Sequence, residues 1–549
     1  MAVIRWTGFA GENRALHPKL LPEAAGTLSR NQKPGRGDLR PWKNPAQVAT
    51  VPSGRQTIYR MGRDVASDST YWLSWPGVVH AVRGFDATDT TERTYYTGDG
   101  VPKVTYNTSL DGTDPQDNPG SNWRPLGLPA PATAPLVTTN TGTWTGDATT
   151  YFYVYTYVND WGWESAPSPV SLMNTRPSDA TAVISGFAAA PSGNYQINRI
   201  RIYRTQTGTS GSTEFFFLRE MAYGTTSTTD DNRDLGEVLP TTTWLPAPGL
   251  PMGNGSTEPT LSNLTSLWNG MLAGISGNSV RFCEAYVPYA WPIACDVVPP
   301  DSKPVALGVF GQSLLVLTTG RPLLVAGSSP ESMDQQPLEM PQGCVSARSV
   351  VSMGTGVAWA SDDGLCWYGS GGARILTAGI MLREDWQALK PDTIVGKMYE
   401  GLYFGSYDDG SGRKGFMIEP GNPQGIFFLD TGYEALHFDE LKDQLYVLDG
   451  STVKKWDAGN LMTVKAKSKQ FWAPKPINFA AAEVVADTYP LTCRVYADGV
   501  LKHTQSVISN NPFRLPSGFL AQRWEIEIEG TSAVQSVALG TSVAELASV

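Results

Sequence analysis

The stretch EGLYFGSYDDGSGRKGFMIE, residues 400–419, shows the unit from which much of the second half of the chain is built. A short apolar strand leads into a turn that contains glycine, and a second strand follows. Asp-Gly and similar pairs permit the positive φ that tight hairpin turns need. Four other segments have the same form, and they are GMLAGISGNSVRF, QSLLVLTTGRPLLVAG, TGVAWASDDGLCWYG and DQLYVLDGSTVKKWD.

The first strand residue of each unit marks its position in the chain. These markers are Leu272, Leu314, Val357, Leu402 and Leu445, at intervals of 42, 43, 45 and 43 residues. One hairpin cannot bury its own apolar face, so such units stack on one another around an axis. A period of about 40 to 45 residues is typical of a four-stranded propeller blade. We therefore predict a divergent β-propeller, with a long meandering sandwich as the alternative.

The aromatic stretch YFYVYTYVNDWGWESAPSPVS, residues 151–171, lies upstream in a different module. It resembles the late strands of a fibronectin type III domain, and INRIRIYRTQTG at 197–208 alternates as a half-exposed strand does. Its Trp161 and Trp163 either cover a sheet edge or contact a partner. Near the C-terminus, apolar residues at 524, 526 and 528 alternate with glutamates, which predicts a separate sandwich.

These patterns predict a mainly β protein with five segments. They are a basic extended N-terminal arm at 1–63, a β-rich platform segment at 64–135, a fibronectin type III-like sandwich at 136–250, β-propeller-like repeats at 261–460, and a C-terminal β-sandwich or platform at 461–549.

The composition agrees with this architecture. Among 549 residues there are 56 glycines and 40 prolines, and 17% of the residues are charged, which favours short strands and turns over helical bundles. A 41% hydrophobic content is too high for a disordered chain. No apolar run approaches the ~20 residues of a membrane-spanning helix, and the N-terminus has no signal-peptide core, so we expect no secretion by the usual route.

Charge is unevenly distributed. Residues 1–63 hold 11 Lys or Arg and 3 Asp or Glu, a net of +8, whereas the rest carries −18, and together these give −10. A basic arm on an acidic body predicts docking to a neighbouring copy or another acidic surface. The candidate docking residues are Arg30, Lys33, Arg36 and Arg40. The alternative is a charged coil satisfied by its own chain.

Motifs for catalysis are missing from the sequence. There is no GxSxG elbow, P-loop or HExxH. The carboxylate pairs in SDDG (361–364) and YDDGSG (407–412) could serve glycoside hydrolysis, but both fall where a hairpin turn is expected. DDNRDLGE (230–237) lacks EF-hand spacing and is interpreted as a solvated loop. We predict a non-enzyme without cofactor or metal.

The cysteines are five in number and scattered. None of Cys283, Cys295, Cys344, Cys366 and Cys493 forms a pair with metal-site or CxxC spacing. They are interpreted as free buried thiols made in a reducing compartment.

The segment GENRALHPKLLPEAAGTLSRNQKPGRGDLRPWKNP, residues 11–45, resembles the opening of bacteriophage tail nozzle proteins, also called tail tubular proteins, of short-tailed phages. The resemblance is carried by Gly11, Glu12, Leu21, Pro22, Ala24, Ala25, Asn31, Gly37, Leu39 and Pro41. Further similar stretches occur in order along the chain, at 267–292, 467–471 and 511–530.

The resemblance implies a structural virion protein that forms a ring, usually a hexamer, below the portal and its adaptor (the head-to-tail connector). Genomic DNA would pass through the lumen into the host without sequence-specific binding, and tail fibres, spikes or the host envelope are further implied partners. Such a protein is made in the host cytoplasm and resides in the phage tail. The alternatives are a receptor-binding or glycan-degrading tail protein on a propeller scaffold, and a bacterial adhesin.

Overall fold

The structure is a computed structural model that describes residues 3–61, 67–86, 88–107, 122–207, 213–231, 234–252, 256–292 and 296–546. The chain divides into two compact units. The first unit comprises Met1–Pro76, Leu317–Pro322 and Leu338–Val549. The second unit comprises Gly77–Val316 and Leu323–Pro337.

Short strands dominate both units. The first seven are β1 (Val3–Trp6), β2 (Gly26–Arg30), β3 (Gln32–Lys33), β4 (Arg40–Pro41), β5 (Ala46–Thr50), β6 (Thr57–Arg60) and β7 (Trp72–Trp75).

The next nineteen strands run through the middle of the chain. They are β8 (His80–Arg83), β9 (Thr94–Thr97), β10 (Lys103–Thr105), β11 (Trp123–Pro125), β12 (Leu136–Thr139), β13 (Ala148–Tyr151), β14 (Tyr153–Asn159), β15 (Asn174–Pro177), β16 (Ala182–Ser185), β17 (Ile197–Thr207), β18 (Thr213–Ala222), β19 (Ser227–Asp230), β20 (Ser262–Ser266), β21 (Leu272–Ser276), β22 (Ser279–Phe282), β23 (Pro304–Phe310), β24 (Ser313–Thr318), β25 (Leu323–Ala326) and β26 (Asp334–Pro337).

The remaining strands complete the first unit. They are β27 (Val351–Ser352), β28 (Gly356–Ala360), β29 (Leu365–Gly369), β30 (Gly372–Ile375), β31 (Val395–Tyr399), β32 (Leu402–Asp408), β33 (Arg413–Ile418), β34 (Phe427–Leu429), β35 (Ala435–Asp439), β36 (Gln444–Asp449), β37 (Thr452–Lys455), β38 (Val464–Ser468), β39 (Phe471–Ile477), β40 (Ala481–Ala486), β41 (Leu491–Ala497), β42 (Val500–Val507), β43 (Phe513–Arg514), β44 (Ala521–Gly530) and β45 (Val534–Gly540). Helices are short: α1 (Arg383–Ala388), α2 (Val543–Leu546) and 3-10 turns at Pro330–Ser332, Ala347–Ser349 and Pro391–Thr393.

At the predicted repeats the structure has five antiparallel groups of strands, four of them separate sheets and the fourth in sequence part of a larger sheet. Their strand orders are β20-β21-β22, β23-β24-β25-β26, β27-β28-β29-β30, β31-β32-β33-β34 and β35-β36-β37-β5. The five markers Leu272, Leu314, Val357, Leu402 and Leu445 all lie at the first or second position of the second strand of their sheet, and all are buried. We call these assemblies blade sheets.

Successive blade sheets pack through their first strands. In the first unit β27 packs on β31, β31 on β35 and β35 on β6. In the second unit β20 packs on both β8 and β23. Neighbouring first strands are the geometry that a propeller uses to bury the apolar faces of hairpins that cannot bury them alone. The fold class is therefore mainly β, with propeller-type repeats.

Two further parts of this arrangement lie outside the predicted 261–460 region. Strand β5 pairs antiparallel with β37 and so completes the fifth blade sheet from the N-terminal segment. Strands β8, β9, β10 and β11, which lie in the β-rich platform segment predicted at 64–135, form a four-stranded sheet. The period did not reveal this sheet because the sandwich insertion separates it from the next blade sheet.

The sandwich predicted at 136–250 is present in the second unit. Sheet β14-β17-β18 supplies Tyr153, Tyr155 and Tyr157 to a core shared with Ile184 of β16. Beside β14 the segment 165–171 follows a three-residue period. The backbone N–H groups of Ser165, Ser168 and Ser171 donate to the carbonyls of Tyr157, Tyr155 and Tyr153, all at 2.9 Å. Their Oγ atoms accept from the same tyrosines' N–H groups, so the prolines between them cost no ladder bonds.

Asp230 corrects the interpretation of residues 230–237 as a solvated loop. Its carboxylate is fully buried and accepts hydrogen bonds from Arg176 (2.8 Å), Arg204 (2.8 and 3.0 Å) and the Tyr153 hydroxyl (2.7 Å). Burial opposes its ionisation, but these donors outweigh burial and lower the pKa of Asp230. Burying one carboxylate between two guanidinium groups is how a charge is tolerated in a core.

The C-terminal sandwich is built partly from the N-terminal segment. One layer is β1-β45-β40-β43, and the other contains β2, β38, β44, β41 and β42. Trp6, Phe9 and Leu39 are buried in the core between them, with Val464 and Trp524. The described part of the predicted arm, residues 3–61, is therefore not an extended segment without a core, because its Trp6, Phe9 and Leu39 pack inside the sandwich.

Four of the five cysteines, Cys283, Cys344, Cys366 and Cys493, are free buried thiols, while Cys295 lies outside the described residues. Burial raises the pKa of the Cys283 thiol to about 12. Across the described part of the chain, no helix has the length and apolar character that a membrane crossing requires.

The blade sheets generate a stability prediction. Leu402, which is 7% exposed on β32, should cost about 2 to 5 kcal/mol of unfolding free energy when it is replaced by alanine, because a cavity forms. The matched control is Leu441→Ala at a residue that is 56% exposed, which should change stability by less than about 0.5 kcal/mol. Urea unfolding of both variants checks this. Equal effects at the two positions would contradict the repeat assignment.

Candidate functional site

The four predicted docking residues are placed by β2, β3, β4 and the loop between β3 and β4, all in the first unit. Arg30 at the end of β2 donates to the Glu12 carboxylate at 2.6 Å, and its guanidinium stacks 5.0 Å from the Phe428 ring centre. Its charge is therefore paired within its own chain.

Lys33 and Arg40 are also paired. The Lys33 ammonium contacts Glu400 and Asp457, each at 2.9 Å, and lies 4.3 Å from the Trp42 ring centre. Arg40 forms a two-pronged pair with Asp38 at 3.0 and 2.8 Å. Arg36 alone of the four is exposed and has no hydrogen bond or ion pair within the described residues.

Three of the four candidates therefore fit the alternative of a charged segment satisfied by its own chain. The sequence did not identify the partners of Lys33, since Glu400 and Asp457 lie 367 and 424 residues away. No local sequence pattern predicts an ion pair between residues so far apart in the chain. The docking role of these residues stays a prediction, and it now falls mainly on Arg36.

Glu12 organises the surroundings of Arg30. Its carboxylate is 3% exposed and accepts from Arg14 (2.6 Å), Arg30 (2.6 Å) and the Ser29 N–H (3.0 Å). Its backbone exchanges two 2.9 Å hydrogen bonds with Ile426, which precedes β34. A buried carboxylate needs such donors, because a buried charge without a partner destabilises the folded protein by several kcal/mol.

The backbone conformations and contacts of Gly11 and Asn31 account for the glycine and the asparagine at these two positions of the 11–45 segment. Gly11 has φ +87°, and a Cβ there would lie 3.0 Å from the Phe427 ring and 3.1 Å from the Ile426 carbonyl oxygen. Asn31 has φ +55°, a conformation that asparagine tolerates. Its side chain donates to Asp430 (2.7 Å) and to the Thr463 carbonyl (2.9 Å).

Strand β2 joins the blade sheets to the C-terminal sandwich. It pairs antiparallel with β38, and at Arg30 it pairs parallel with Phe428 of β34. One sheet of ten strands thus runs from β31 to β42. We call Gly11, Glu12, β2 and Asn31 the seam. A cavity of about 320 Å³ lies beside it, lined in part by Asn44, Asp430 and Trp456.

The carboxylate pairs considered for glycoside hydrolysis serve turns. Asp363 binds Arg383 (2.6 Å) and Gln342 (2.8 Å), and the Gln342 hydrogen bond chiefly lowers its pKa. Asp409 binds Lys414 at 2.7 Å, which likewise lowers its pKa. Both carboxylates are thus engaged by side chains close to the turns in which they lie. Among the described residues, no cluster of His, Cys, Asp or Glu could hold a metal ion.

Comparisons with known proteins give no family. No family model matches the chain, and no curated protein sequence matches it. Among solved structures, the WD40 domain of coronin from Toxoplasma gondii aligns at 12% identity, over 62% of this chain and 79% of that one, with a TM-score of 0.25.

Two extracellular domains from B. thetaiotaomicron also align. The domain of a hybrid two-component system has 8% identity, covers 90% of this chain and 59% of that one, and gives a TM-score of 0.23. The domain of a one-component system has 8% identity, covers 92% and 68%, and gives a TM-score of 0.21.

The seam generates a second prediction. Glu12→Gln should lower the unfolding free energy by about 2 kcal/mol, because hydrogen bonds to a charged, buried acceptor are weakened while two guanidinium groups lose their counter-charge. Glu23→Gln is the matched control at an exposed residue of the same segment, and it should be neutral. Chemical denaturation measures both. If Glu12→Gln had the same unfolding free energy as the wild type, the Glu12 carboxylate would not stabilise the seam.

Proposed function

We propose that this protein is a structural component of a phage tail, a ring-forming nozzle that extends the portal and adaptor channel and conducts genomic DNA. The observation that supports assembly is an apolar surface on the C-terminal sandwich. Val500, Leu501, Ile508 and Leu520 are exposed there. Exposed apolar side chains on and beside a sheet edge favour association with another chain.

The same surface includes a sheet edge. Strand β42 ends the ten-stranded sheet, and on its outer side no strand pairs with it within the described residues. Lys502 of β42 lies 5.1 Å from the Phe519 ring centre, which brings the neighbouring Leu520 to this edge. An unpaired edge offers backbone donors and acceptors together with apolar side chains, and we assign it to a second copy of the chain. Contact with a different surface of that copy would close a ring.

The resemblance supports the tail assignment through the role of its residues. Gly11, Glu12 and Asn31 belong to the seam, and Leu39 is buried in the sandwich core. The signature therefore describes how blade sheets and sandwich are joined, as expected of a protein whose task is mechanical. The turn carboxylates give no support to the glycan-degrading alternative.

The charge of the chain suits a conduit. Each phosphate contact made by Lys or Arg adds affinity for DNA, so a basic lumen would retard the genome. Six copies at −10 would carry about −60 in total, and an acidic wall lets DNA slide.

Electron microscopy of the purified protein in negative stain tests the proposal. Rings of about six subunits with a central hole are expected under the symmetry of closed heterologous assembly. Trimeric fibres would favour a receptor-binding protein instead, and a monomer at all concentrations would contradict the ring.

The assigned interface generates a third prediction. Leu501→Glu should convert rings to folded monomers, because a charge is placed in an interface that must desolvate it. Leu441→Glu, at a comparably exposed leucine in the β35–β36 turn, is the control and should leave rings intact. Analytical ultracentrifugation measures the mass of the assemblies that the two variants form. Rings that survive Leu501→Glu would remove β42 from the interface.

Arg36 generates a fourth prediction. Because it is exposed and unpaired, Arg36→Glu should leave the fold unchanged but weaken binding to an acidic adaptor ring, more strongly at low salt. Arg321→Glu reverses another exposed arginine and serves as the control. Co-sedimentation with the adaptor at two salt concentrations measures the effect. Identical binding by both variants would mean that the basic excess serves only its own chain.

A further inference from the structure

The cavity of about 320 Å³ beside the seam has a lining of polar and aromatic side chains, and we call it the seam cavity. Three stretches of the first unit line it: Asn44 in the N-terminal segment, residues 429–431 at the end of β34, and residues 461–463 before β38. Tyr433 and Trp456 also belong to the wall. The volume falls in the range of pockets that hold small molecules, about 300 to 1,000 Å³.

Hydrogen bonds hold the polar stretches of the wall in place. Asn31 binds Asp430 twice, because its Nδ2 donates to the carboxylate (2.7 Å) and its Oδ1 accepts from the backbone N–H (3.1 Å). The same Nδ2 donates to the Thr463 carbonyl at 2.9 Å. The backbone N–H and Nδ2 of Asn44 both donate to the Asn460 carbonyl, at 2.7 and 3.1 Å. A ligand would therefore meet a wall that is already ordered, which lowers the entropy cost of binding.

Several polar groups of the lining have no partner within the described residues. The hydroxyls of Thr431 and Thr463 form no hydrogen bond there, and both residues are exposed. Oδ1 of Asn44 accepts none, and the indole N–H of Trp456 is buried without an acceptor. A hydroxyl can donate one hydrogen bond and accept two, so these groups offer both donors and acceptors to a ligand.

The aromatic part of the wall is rigid. The rings of Tyr433 and Trp456 meet edge to face, with their centres 6.1 Å apart. Trp456 also packs edge to face on Phe404 at 5.0 Å. Such rings give the wall an apolar surface against which C–H groups can pack.

The charges near the cavity favour a neutral ligand. Among the described residues of the lining, Asp430 alone is charged, and its Oδ1 lies 4.0 Å from Nε of Arg30. Lys33 is already paired with Glu400 and Asp457. A cationic ligand would compete with Arg30 for the carboxylate, and an anionic ligand would be repelled by the carboxylate.

We propose that the seam cavity binds a neutral sugar unit. A sugar ring has hydroxyl groups that both donate and accept, which matches two threonine hydroxyls, an amide oxygen and a carboxylate oxygen. Its C–H groups match the aromatic wall. The sugar is either a free monosaccharide or the terminal unit of a glycan. The site does not depend on ring assembly, because one chain supplies all of its lining.

Saturation-transfer NMR of the intact protein with glucose, galactose, mannose and N-acetylglucosamine tests the site. At least one of these sugars should bind with a Kd on the order of 1 mM. Thr431→Val and Thr463→Val should each weaken binding about three- to tenfold, the ratio that loss of one hydrogen bond gives. Thr355→Val removes an exposed hydroxyl from the β27–β28 turn, away from the cavity lining, and should bind as the wild type does.

Melting temperatures keep binding and folding apart. All three valine variants should melt as the wild type does, because each replaces an exposed threonine. Thr431→Phe fills the cavity and should abolish binding, and the valine variants decide the question if the phenylalanine variant is unstable. A fall in both binding and melting temperature in Thr431→Val and Thr463→Val would make these threonines structural and overturn the assignment.

The remaining outcomes concern the chemistry of the ligand. No binding of any of the four sugars at about 50 mM overturns the proposal, as does binding that survives in a folded Thr431→Phe protein. Tighter binding of glucosamine, which carries a cationic amine, than of glucose would also overturn it, because the site would then select a cation through Asp430. If a disaccharide of the bound sugar binds more tightly than the monosaccharide, the terminal unit of a glycan is the natural ligand, whereas equal affinity supports a free sugar.

Discussion

The pairing of β2 with two different strands is the constraint on which the first unit depends. Its antiparallel partner β38 belongs to the C-terminal sandwich, and its parallel contact at Phe428 belongs to a blade sheet. A strand that pairs on both sides fixes the register of both neighbours. The buried Glu12 carboxylate then locks β2 by bonding the Ser29 N–H and the Arg30 guanidinium. The β31–β34 blade sheet and one layer of the sandwich are thus one continuous sheet and not two modules on a linker.

The blade sheets were predictable because their signal is periodic. Each marker lies at the first or second position of a strand that is buried on both faces, so an apolar run recurs wherever the sheet recurs. The role of β5 was not predictable, because its residues Ala46–Thr50 are only half-buried and carry no contrast between two faces. When a strand from a distant part of the chain completes a blade sheet, the sequence around that sheet gives no sign of the pairing.

Charged residues were the least predictable part of the candidate site. A positive segment on a negative chain gives the same composition whether its partners are inside or outside the molecule. Lys33 contacts Asp457 and Glu400 only in the folded chain, and the same holds for the ion pair of Arg30 with Glu12. Asp230 was misread for the same reason, since its arginine partners come from β15 and β17.

The strand order also determines at which stage of folding the proposed interface around β42 can form. β1 pairs with β45 and β5 with β37, so the first unit closes only when both ends of the chain are available. Contacts of such sequence separation form slowly, because loop closure must precede them. The edge strand β42 and its apolar residues are held by β41 and β44 in a sheet that includes β2. The surface that we propose for assembly is therefore complete only on a fully folded chain, and in the proposed ring this would keep partly folded copies from joining through it.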